Sequence, residues 1–263
     1  MNITVLDFAK KKNNHNKITM LTCYDYTAAR LLSQTEIDCL LVGDSLAMTI
    51  YGLPNTLGAS VEMIVAHTAA VARGAPCKFI IADLPFLSYR KSLSENVAAT
   101  QKIMQSGAHA VKLEGALGNL EFISHLTQSG IPVMGHLGLT PQSFHALGGY
   151  KIQGKNKADQ INLINESKAL ENAGCFALVL ECIPSELAKT ITKNLKIPTI
   201  GIGAGKDTDG QVLVFHDLLG MNLDFKPKFV KTFLESGALI QQSVNTFISE
   251  VRLGEFPNHE HSY

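Results

Sequence analysis

Six side chains that could do chemistry lie near the C-terminal ends of short apolar runs in this 263-residue chain. They are Asp44 after CLLVG, Asp83 after FIIA, Lys112 and Glu114 in AVKLEGA, His136 in IPVMGHLG, and Glu181 in FALVLECI. Carboxylates that lie close together can hold a cation, and a suitably placed carboxylate can accept a proton. The chemistry of the chain therefore depends on whether the ends of these five runs meet.

A cluster of acids has an electrostatic cost that indicates its partner. Two like charges ~4 Å apart repel by ~4 kcal/mol at an effective dielectric of ~20, so three mutual pairs cost on the order of the stability of a whole domain. A cation is therefore expected among them. An oxygen-only set without Cys-His spacing favours a hard ion, so Asp44, Asp83 and Glu114 predict a Mg²⁺ site and disfavour zinc. His136 is either a further ligand or a hydrogen-bonding group.

Side chains alternate between the two faces of a strand, and this periodicity predicts where the polar groups point. The expected pairs on one face are Val42 and Asp44, Ile81 and Asp83, Lys112 and Glu114, Met134 and His136, and Val179 and Glu181. In a barrel, the first residue of each pair would fill the interior. The second residue, which is polar, would lie above it in the mouth. For any single acid, the alternative is that it points outwards and caps the next helix.

The elements that would position these residues alternate along the chain. Short runs rich in β-branched residues and bounded by Gly or Pro are typical of strands buried on both faces. The predicted strands lie in 17–25, 39–45, 78–85, 110–116, 131–138, 176–183 and 197–205, with a weaker eighth in 210–215. Helical patterns cover 60–74, 92–107, 119–128, 158–173 and 185–194, and the second of these opens on the capping box Ser92-Leu-Ser-Glu95.

About eight alternations of strand and helix predict a single (β/α)₈ barrel domain over residues 1–263, with its active site at the C-terminal ends of the strands. The alternative is a doubly wound open sheet, which would usually carry a glycine-rich nucleotide fingerprint after the first strand. The segment TCYDYTAAR has no glycine there. The long irregular stretch Leu137–Lys157 is expected to be functional, because such loops in compact domains often are.

Composition excludes several classes of protein. Lys and Arg number 23, as do Asp and Glu, so the formal net charge is zero and no basic surface for nucleic acid is indicated. No apolar run approaches the ~20 residues of a membrane span, and the N-terminus lacks the pattern of a signal peptide. The five cysteines include no CxxC pair and are expected to be free thiols. These features predict a cytoplasmic protein that binds neither nucleic acid nor membranes.

The chain also resembles a known family, the ketopantoate (3-methyl-2-oxobutanoate) hydroxymethyltransferases of pantothenate biosynthesis. The motifs that carry the resemblance are TCYDY, LVGDSLAM, VKLEGA, GHLGLTPQ, LGGYKIQG, LVLECIP, IPTIGIGAG and DGQVLV. They occur in order from the first strand onwards and cover nearly the whole chain, and GHLGLTPQ followed by LGGYKIQG is the most specific part. The chain departs from the family pattern at Cys23, Ala47 and Ala116, and Asn55–Ser60 is unusual.

The resemblance implies a Mg²⁺-dependent transfer of a one-carbon unit from 5,10-methylenetetrahydrofolate to 3-methyl-2-oxobutanoate. It implies that Asp44 and Asp83 bind the metal and contact the substrate, and that Glu114 holds the metal directly or through water. It further implies that Ser45 and Lys112 bind the substrate carboxylate and that Glu181 is the catalytic base. His136 is implied to contact either the substrate or residues that themselves contact the substrate. A homo-oligomer, a decamer of two pentameric rings, is also implied.

Two other functions fit parts of the pattern. A Mg²⁺-dependent carbon–carbon lyase acting on 2-oxo acids or phosphoenolpyruvate would share the acids, but such lyases commonly need a reactive cysteine in a mobile loop, and none is evident. A metabolite-binding or structural barrel that has lost catalysis is the other alternative. The intact set of acids, lysine and base argues against it, because buried charge without a role is a burden on folding.

Overall fold

The computed structural model of the chain describes residues 3–222 and 227–263. These residues form two compact units, one up to Leu213 and one from Val214 onwards. Within the described residues, no helix combines the length and the apolar character needed to cross a bilayer.

The first unit is built on eight parallel strands that close into a barrel. The strands are β1 Ile18–Thr22, β2 Cys39–Val42, β3 Phe79–Asp83, β4 Ala110–Lys112, β5 Val133–Gly138, β6 Ala177–Glu181, β7 Thr199–Ile202 and β8 Gly210–Leu213. Each strand pairs with the next in sequence, and β8 pairs with β1. The predicted (β/α)₈ barrel is therefore confirmed, and the alternative of an open sheet is wrong.

Helices lie between the strands and continue after the last of them. They are α1 Val5–Asn13, α2 Tyr26–Ser33, α3 Leu46–Thr49, α4 Val61–Gly74, α5 Leu93–Gln105, α6 Leu120–Gln128, α7 Phe144–Leu147, α8 Lys157–Asn172, α9 Ser185–Asn194, α10 Phe215–Leu218 and α11 Ser236–Leu253. The predicted capping box at α5 is present, because the Glu95 amide donates to Ser92 Oγ (3.3 Å) while the Ser92 amide donates to Glu95 Oε2 (3.2 Å).

One apolar cluster fills the barrel and closes its N-terminal end. Leu41, Ile81 and Val179 belong to it, together with Phe8 from α1. The Phe8 ring lies 5.3 Å, centroid to centroid, from the ring of Phe79 at the start of β3. Because α1 covers this end of the barrel, the opposite end, where the strands finish, is the one that can admit a small molecule.

The side-chain alternation predicted for the strands is correct for four of the five pairs and wrong for Val42 and Asp44. Leu41 belongs to the interior cluster, so Val42, its neighbour on β2, faces the helices. The strand ends at Val42, and the chain then turns, so strand periodicity no longer sets the direction of Asp44. Gly43 is the residue that faces inward, since a Cβ there would lie 3.5 Å from Asp83 Oδ2. Asp44 reaches the mouth through this turn.

The second unit consists of α10, α11 and a short 3₁₀ helix, His259–His261. The apolar-rich segment 229–248 forms a helix only from Ser236 onwards, and this helix extends to Leu253. Leu239, Val244 and Phe247 on α11 each expose half or more of their surface. This helix therefore carries an apolar surface that the chain leaves open to solvent.

Candidate active site

The six predicted polar side chains converge at the mouth of the barrel. Five of them are more than nine-tenths buried, namely Asp44, Asp83, Lys112, Glu114 and His136. The carboxyl side chain of Glu181 is the most open of the set, at 15% exposure. The sequence-based prediction that the strand ends bring these groups together is therefore correct, and Glu181 is the acid that remains accessible from the mouth.

Lys112 and Asp83 form a buried ion pair across adjacent strands. The register of β3 against β4 places the two residues opposite each other, and Lys112 Nζ lies 2.8 Å from Asp83 Oδ1. Burial lowers the pKa of Lys112, but the nearby carboxylates of Asp83, Glu114 and Asp44 together outweigh burial and raise it. The lysine therefore stays charged and supplies a fixed positive charge at the floor of the site.

Asp44 lies against Asp83 at the end of β2. The Asp44 amide donates a hydrogen bond to Asp83 Oδ2 at 2.9 Å. Burial raises the pKa of Asp44 well above its usual range, and the charges of Asp83 and Glu114 raise it further. The negative charge of these carboxylates therefore exceeds the positive charge of the groups beside them, and a bound cation would balance the excess.

His136 lies between two acids from different strands. Its Nδ1 is 3.5 Å from Glu114 Oε1, and its Nε2 is 3.2 Å from Glu181 Oε2. Burial and Lys112 lower the pKa of His136, but Glu114 and Glu181 outweigh them and raise it to about 9. The imidazole therefore lies between the accessible acid Glu181 and the buried acid Glu114, without an aligned hydrogen bond to either among the described residues, and their negative charge favours its protonated form.

The direction of Glu181 depends on close packing between β5 and β6. A Cβ at Gly138, where φ is +93°, would lie 2.2 Å from the carbonyl oxygen of Glu181, so only glycine fits there. The amide of Leu139 donates to that same carbonyl at 2.8 Å. Cys182, the next residue, has φ of +47°, an uncommon conformation for a side chain with a Cβ. These backbone constraints fix where the carboxylate points.

Ser45, predicted to bind a substrate carboxylate, has a buried partner that the sequence did not reveal. Its Oγ is 2.7 Å from the hydroxyl of Tyr24, whose pKa burial raises to about 12. The signal in the sequence that could have identified Tyr24 is its place within the TCYDY motif. The tyrosine holds the serine hydroxyl at the mouth.

Gln142 is the second residue that sequence reasoning missed. It lies in a 3₁₀ helix, Pro141–Ser143, at the start of the long loop after β5. Its side chain donates to Asp44 Oδ2 at 2.7 Å, and its backbone amide donates to Glu114 Oε2 at 2.9 Å. The signal available in the sequence was its place in both the GHLGLTPQ motif and the loop expected to be functional.

The residues present fit a hard divalent ion held by few protein groups. Asp83 Oδ1 is buried and has no aligned hydrogen-bond donor among the described residues, although Lys112 lies close to it. Asp44 and Asp83 adjoin each other, and Mg²⁺ is commonly held by one or two carboxylates plus water and substrate. In the described part of the chain, however, no three His, Cys, Asp or Glu side chains form a ready-made metal cluster. Lys112 and His136 neutralise part of the acidic charge, so the need for a bound cation is smaller than the acids alone indicate.

The cysteines are all free, as predicted. Burial raises the pKa values of Cys23, Cys175 and Cys182 to about 12, and that of Cys39 is raised as well. A high pKa leaves little of the nucleophilic thiolate at neutral pH. These four thiols therefore have no environment that activates them for catalysis.

A closed parallel barrel with buried acids, a lysine and a histidine at its C-terminal mouth defines a (β/α)₈-barrel enzyme. The sequence profile of the ketopantoate hydroxymethyltransferase family matches residues 2–259. The chain belongs to this family and is a transferase.

Full-length relatives carry the same family name. A 3-methyl-2-oxobutanoate hydroxymethyltransferase from Bdellovibrio bacteriovorus is 56% identical over 260 residues, which cover 99% of this chain and 99% of the relative. Relatives of the same name from Francisella tularensis subsp. novicida and Coxiella burnetii are 53% and 54% identical. The first of these matches covers 99% of this chain and 98% of the relative, and the second covers 98% and 97%.

Solved structures share the fold at much lower identity. A phosphonopyruvate hydrolase has a TM-score of 0.65 at 12% identity, and the alignment covers 100% of this chain and 92% of that one. A 2,3-dimethylmalate lyase of the PEP mutase/isocitrate lyase superfamily has a TM-score of 0.62 at 14% identity, covering 100% and 93%. These similarities concern the fold alone.

Proposed function

We propose that the enzyme transfers a hydroxymethyl group from 5,10-methylenetetrahydrofolate to 3-methyl-2-oxobutanoate, giving 2-dehydropantoate (ketopantoate), the first step of pantothenate biosynthesis. Family membership supports the substrates, because the full-length relatives are named for the oxo acid. The observation that carries the chemistry is the convergence of Asp44, Asp83, Lys112 and Glu181 on one buried mouth.

The mouth offers separate places for a cation and for an anion. Asp44 and Asp83 would hold Mg²⁺, with Glu114 binding directly or through water. When bound, Mg²⁺ would polarise the oxo group and stabilise the negative charge that develops as C3 loses its proton. Ser45 and Lys112 would bind the substrate carboxylate, the lysine through its fixed positive charge.

Proton transfer is assigned to Glu181. The strand β6 lies roughly across the barrel from β2, so a substrate held near Asp44 can present C3 to Glu181. The base takes the C3 proton, C3 then bonds to the methylene carbon, the carbon–nitrogen bonds of the folate break, and water supplies the hydroxyl oxygen. His136, whose Nε2 lies 3.2 Å from Glu181 Oε2, would orient this carboxylate electrostatically.

A turnover assay tests the proposed reaction. The purified protein, incubated with 3-methyl-2-oxobutanoate, methylenetetrahydrofolate and Mg²⁺, is expected to form ketopantoate and tetrahydrofolate in equal amounts, as measured by mass spectrometry. A boiled sample and a reaction without the folate serve as controls. Absence of ketopantoate would exclude this function and favour the lyase or the inactive barrel.

Assembly is the second part of the proposal. Resemblance to the family favours a homo-oligomer, namely a decamer of two pentameric rings. The exposed apolar side chains of α11 support an interface there, because large exposed apolar patches usually mark one. Sedimentation is expected to give a species of ten times the 28.5 kDa chain mass. A monomer as the sole species at micromolar concentration would exclude the assembly.

A further inference from the structure

Gln142 is a buried polar residue at the mouth to which the sequence assigned no role. Its side chain and backbone lie in the first turn of the loop after β5, and only 5% of its surface is exposed. Burying an amide is unfavourable unless its hydrogen bonds are satisfied. The partners of this amide therefore indicate why it is buried.

Every hydrogen-bonding group of the Gln142 side chain has a partner. Nε2 donates to Asp44 Oδ2 at 2.7 Å and to the Leu84 carbonyl at 3.0 Å. Oε1 accepts a hydrogen bond from the Tyr89 hydroxyl at 2.6 Å. The Leu84 carbonyl can only accept, so this network fixes which end of the amide faces the acid. Tyr89 is itself buried and holds the amide from the other side.

The same residue reaches both acids on the two sides of the candidate metal site. Its side chain engages one oxygen of Asp44, and its backbone amide engages Oε2 of Glu114 at 2.9 Å. Each carboxylate therefore keeps one oxygen that Gln142 does not use. Two donors aimed at two acids fix the orientation of both carboxylates.

We propose that Gln142 is a positioning residue that orients Asp44 and Glu114 for Mg²⁺, and that it couples the loop after β5 to the metal site. This inference rests on the proposed metal site. Groups that hydrogen-bond to metal ligands typically change metal affinity 10–100-fold when they are replaced. The loop and the ion therefore stabilise each other, since coupling between two sites is reciprocal.

The test is a Mg²⁺ titration of the metal-free, full-length protein by calorimetry in the presence of the oxo acid. Gln142→Met keeps the size of the side chain and the backbone donor to Glu114 but removes the side-chain donor to Asp44, so Mg²⁺ affinity is expected to fall 10–100-fold. Gln153→Met is the matched control, because Gln153 lies in the same loop and its side chain donates to the Lys151 carbonyl instead of an acid. Its Mg²⁺ affinity is expected to be unchanged.

A second variant keeps the inference testable if Gln142→Met does not fold. Tyr89→Phe removes the hydroxyl that holds Oε1, and Mg²⁺ affinity is expected to fall about threefold, less than for Gln142→Met, because the donors to Asp44 remain. In the Gln142→Met background the same change is expected to have a smaller effect than in the unmodified protein, because the hydroxyl then keeps only its 3.4 Å contacts with the Glu114 backbone.

The outcomes separate the inference from the proposed function. No Mg²⁺ binding by the unmodified protein would exclude the metal site and with it the inference. Binding by the unmodified protein with equal affinity in Gln142→Met, or in Tyr89→Phe if the first variant is unfolded, would overturn the inference alone. Thermal unfolding of each metal-free variant shows whether it is folded before the titration.

Discussion

Replacing Glu181 by glutamine is expected to stop exchange of the C3 proton of 3-methyl-2-oxobutanoate with deuterated water. Glutamine has the same shape but cannot accept the proton, and loss of a general base costs ~10²–10⁴ in rate. Exchange is a half-reaction that needs no folate, so it reports on proton removal at C3 separately from formation of the carbon–carbon bond. Proton NMR of the substrate with enzyme and Mg²⁺ measures the rate.

The same variant is expected to keep its binding functions. Glu181 is the most open acid of the mouth and is separate from the Asp44–Asp83 pair, so calorimetry should give near-normal binding of Mg²⁺ and of the oxo acid. Glu186→Gln is the control, because it removes an exposed acid in the first turn of α9. Near-normal exchange by Glu181→Gln would exclude Glu181 as the base and direct attention to His136.

Removing divalent metal is expected to reduce ketopantoate formation to below about 1% of its starting rate, and added Mg²⁺ to restore it. The reason is that metal stabilisation of a developing negative charge contributes several kcal/mol to the transition state. Asp44 and Asp83 supply the oxygen ligands, and the excess of acidic charge around them favours a cation. A chelator followed by gel filtration gives the metal-free protein for the assay.

A protein variant complements the chelator experiment. Asp83→Asn removes one charged ligand with little change of shape, and it also leaves Lys112 without its ion-pair partner. Weaker Mg²⁺ binding in calorimetry is expected, together with a lower rate that excess Mg²⁺ partly recovers. Full turnover by a preparation shown by elemental analysis to hold no divalent metal would contradict the metal-dependent arrangement.

Local sequence patterns were sufficient to predict the barrel and to place the site at the C-terminal ends of its strands. Runs such as FIIAD contain both the periodicity of a buried strand and the acid that ends it, so the strand and the position of Asp83 were predicted together. The capping box at Ser92 likewise determined where α5 begins. Such signals are local, because the residues involved lie within a few positions of one another along the chain.

Tertiary structure alone decided how the polar groups pair at the mouth. The hydrogen bond from Gln142 to Asp44 joins residues 98 positions apart, and no periodicity of the sequence relates them. Lys112 meets Asp83 because of the register between two strands, and His136 meets Glu181 because β5 lies beside β6. Val42 was predicted wrongly to fill the interior, and Asp44 reaches the mouth through a turn, because the strand ends two residues before Asp44. These contacts depend on barrel closure and strand register, which arise from packing of the whole chain, whereas the sequence specifies directly only the interactions between near neighbours.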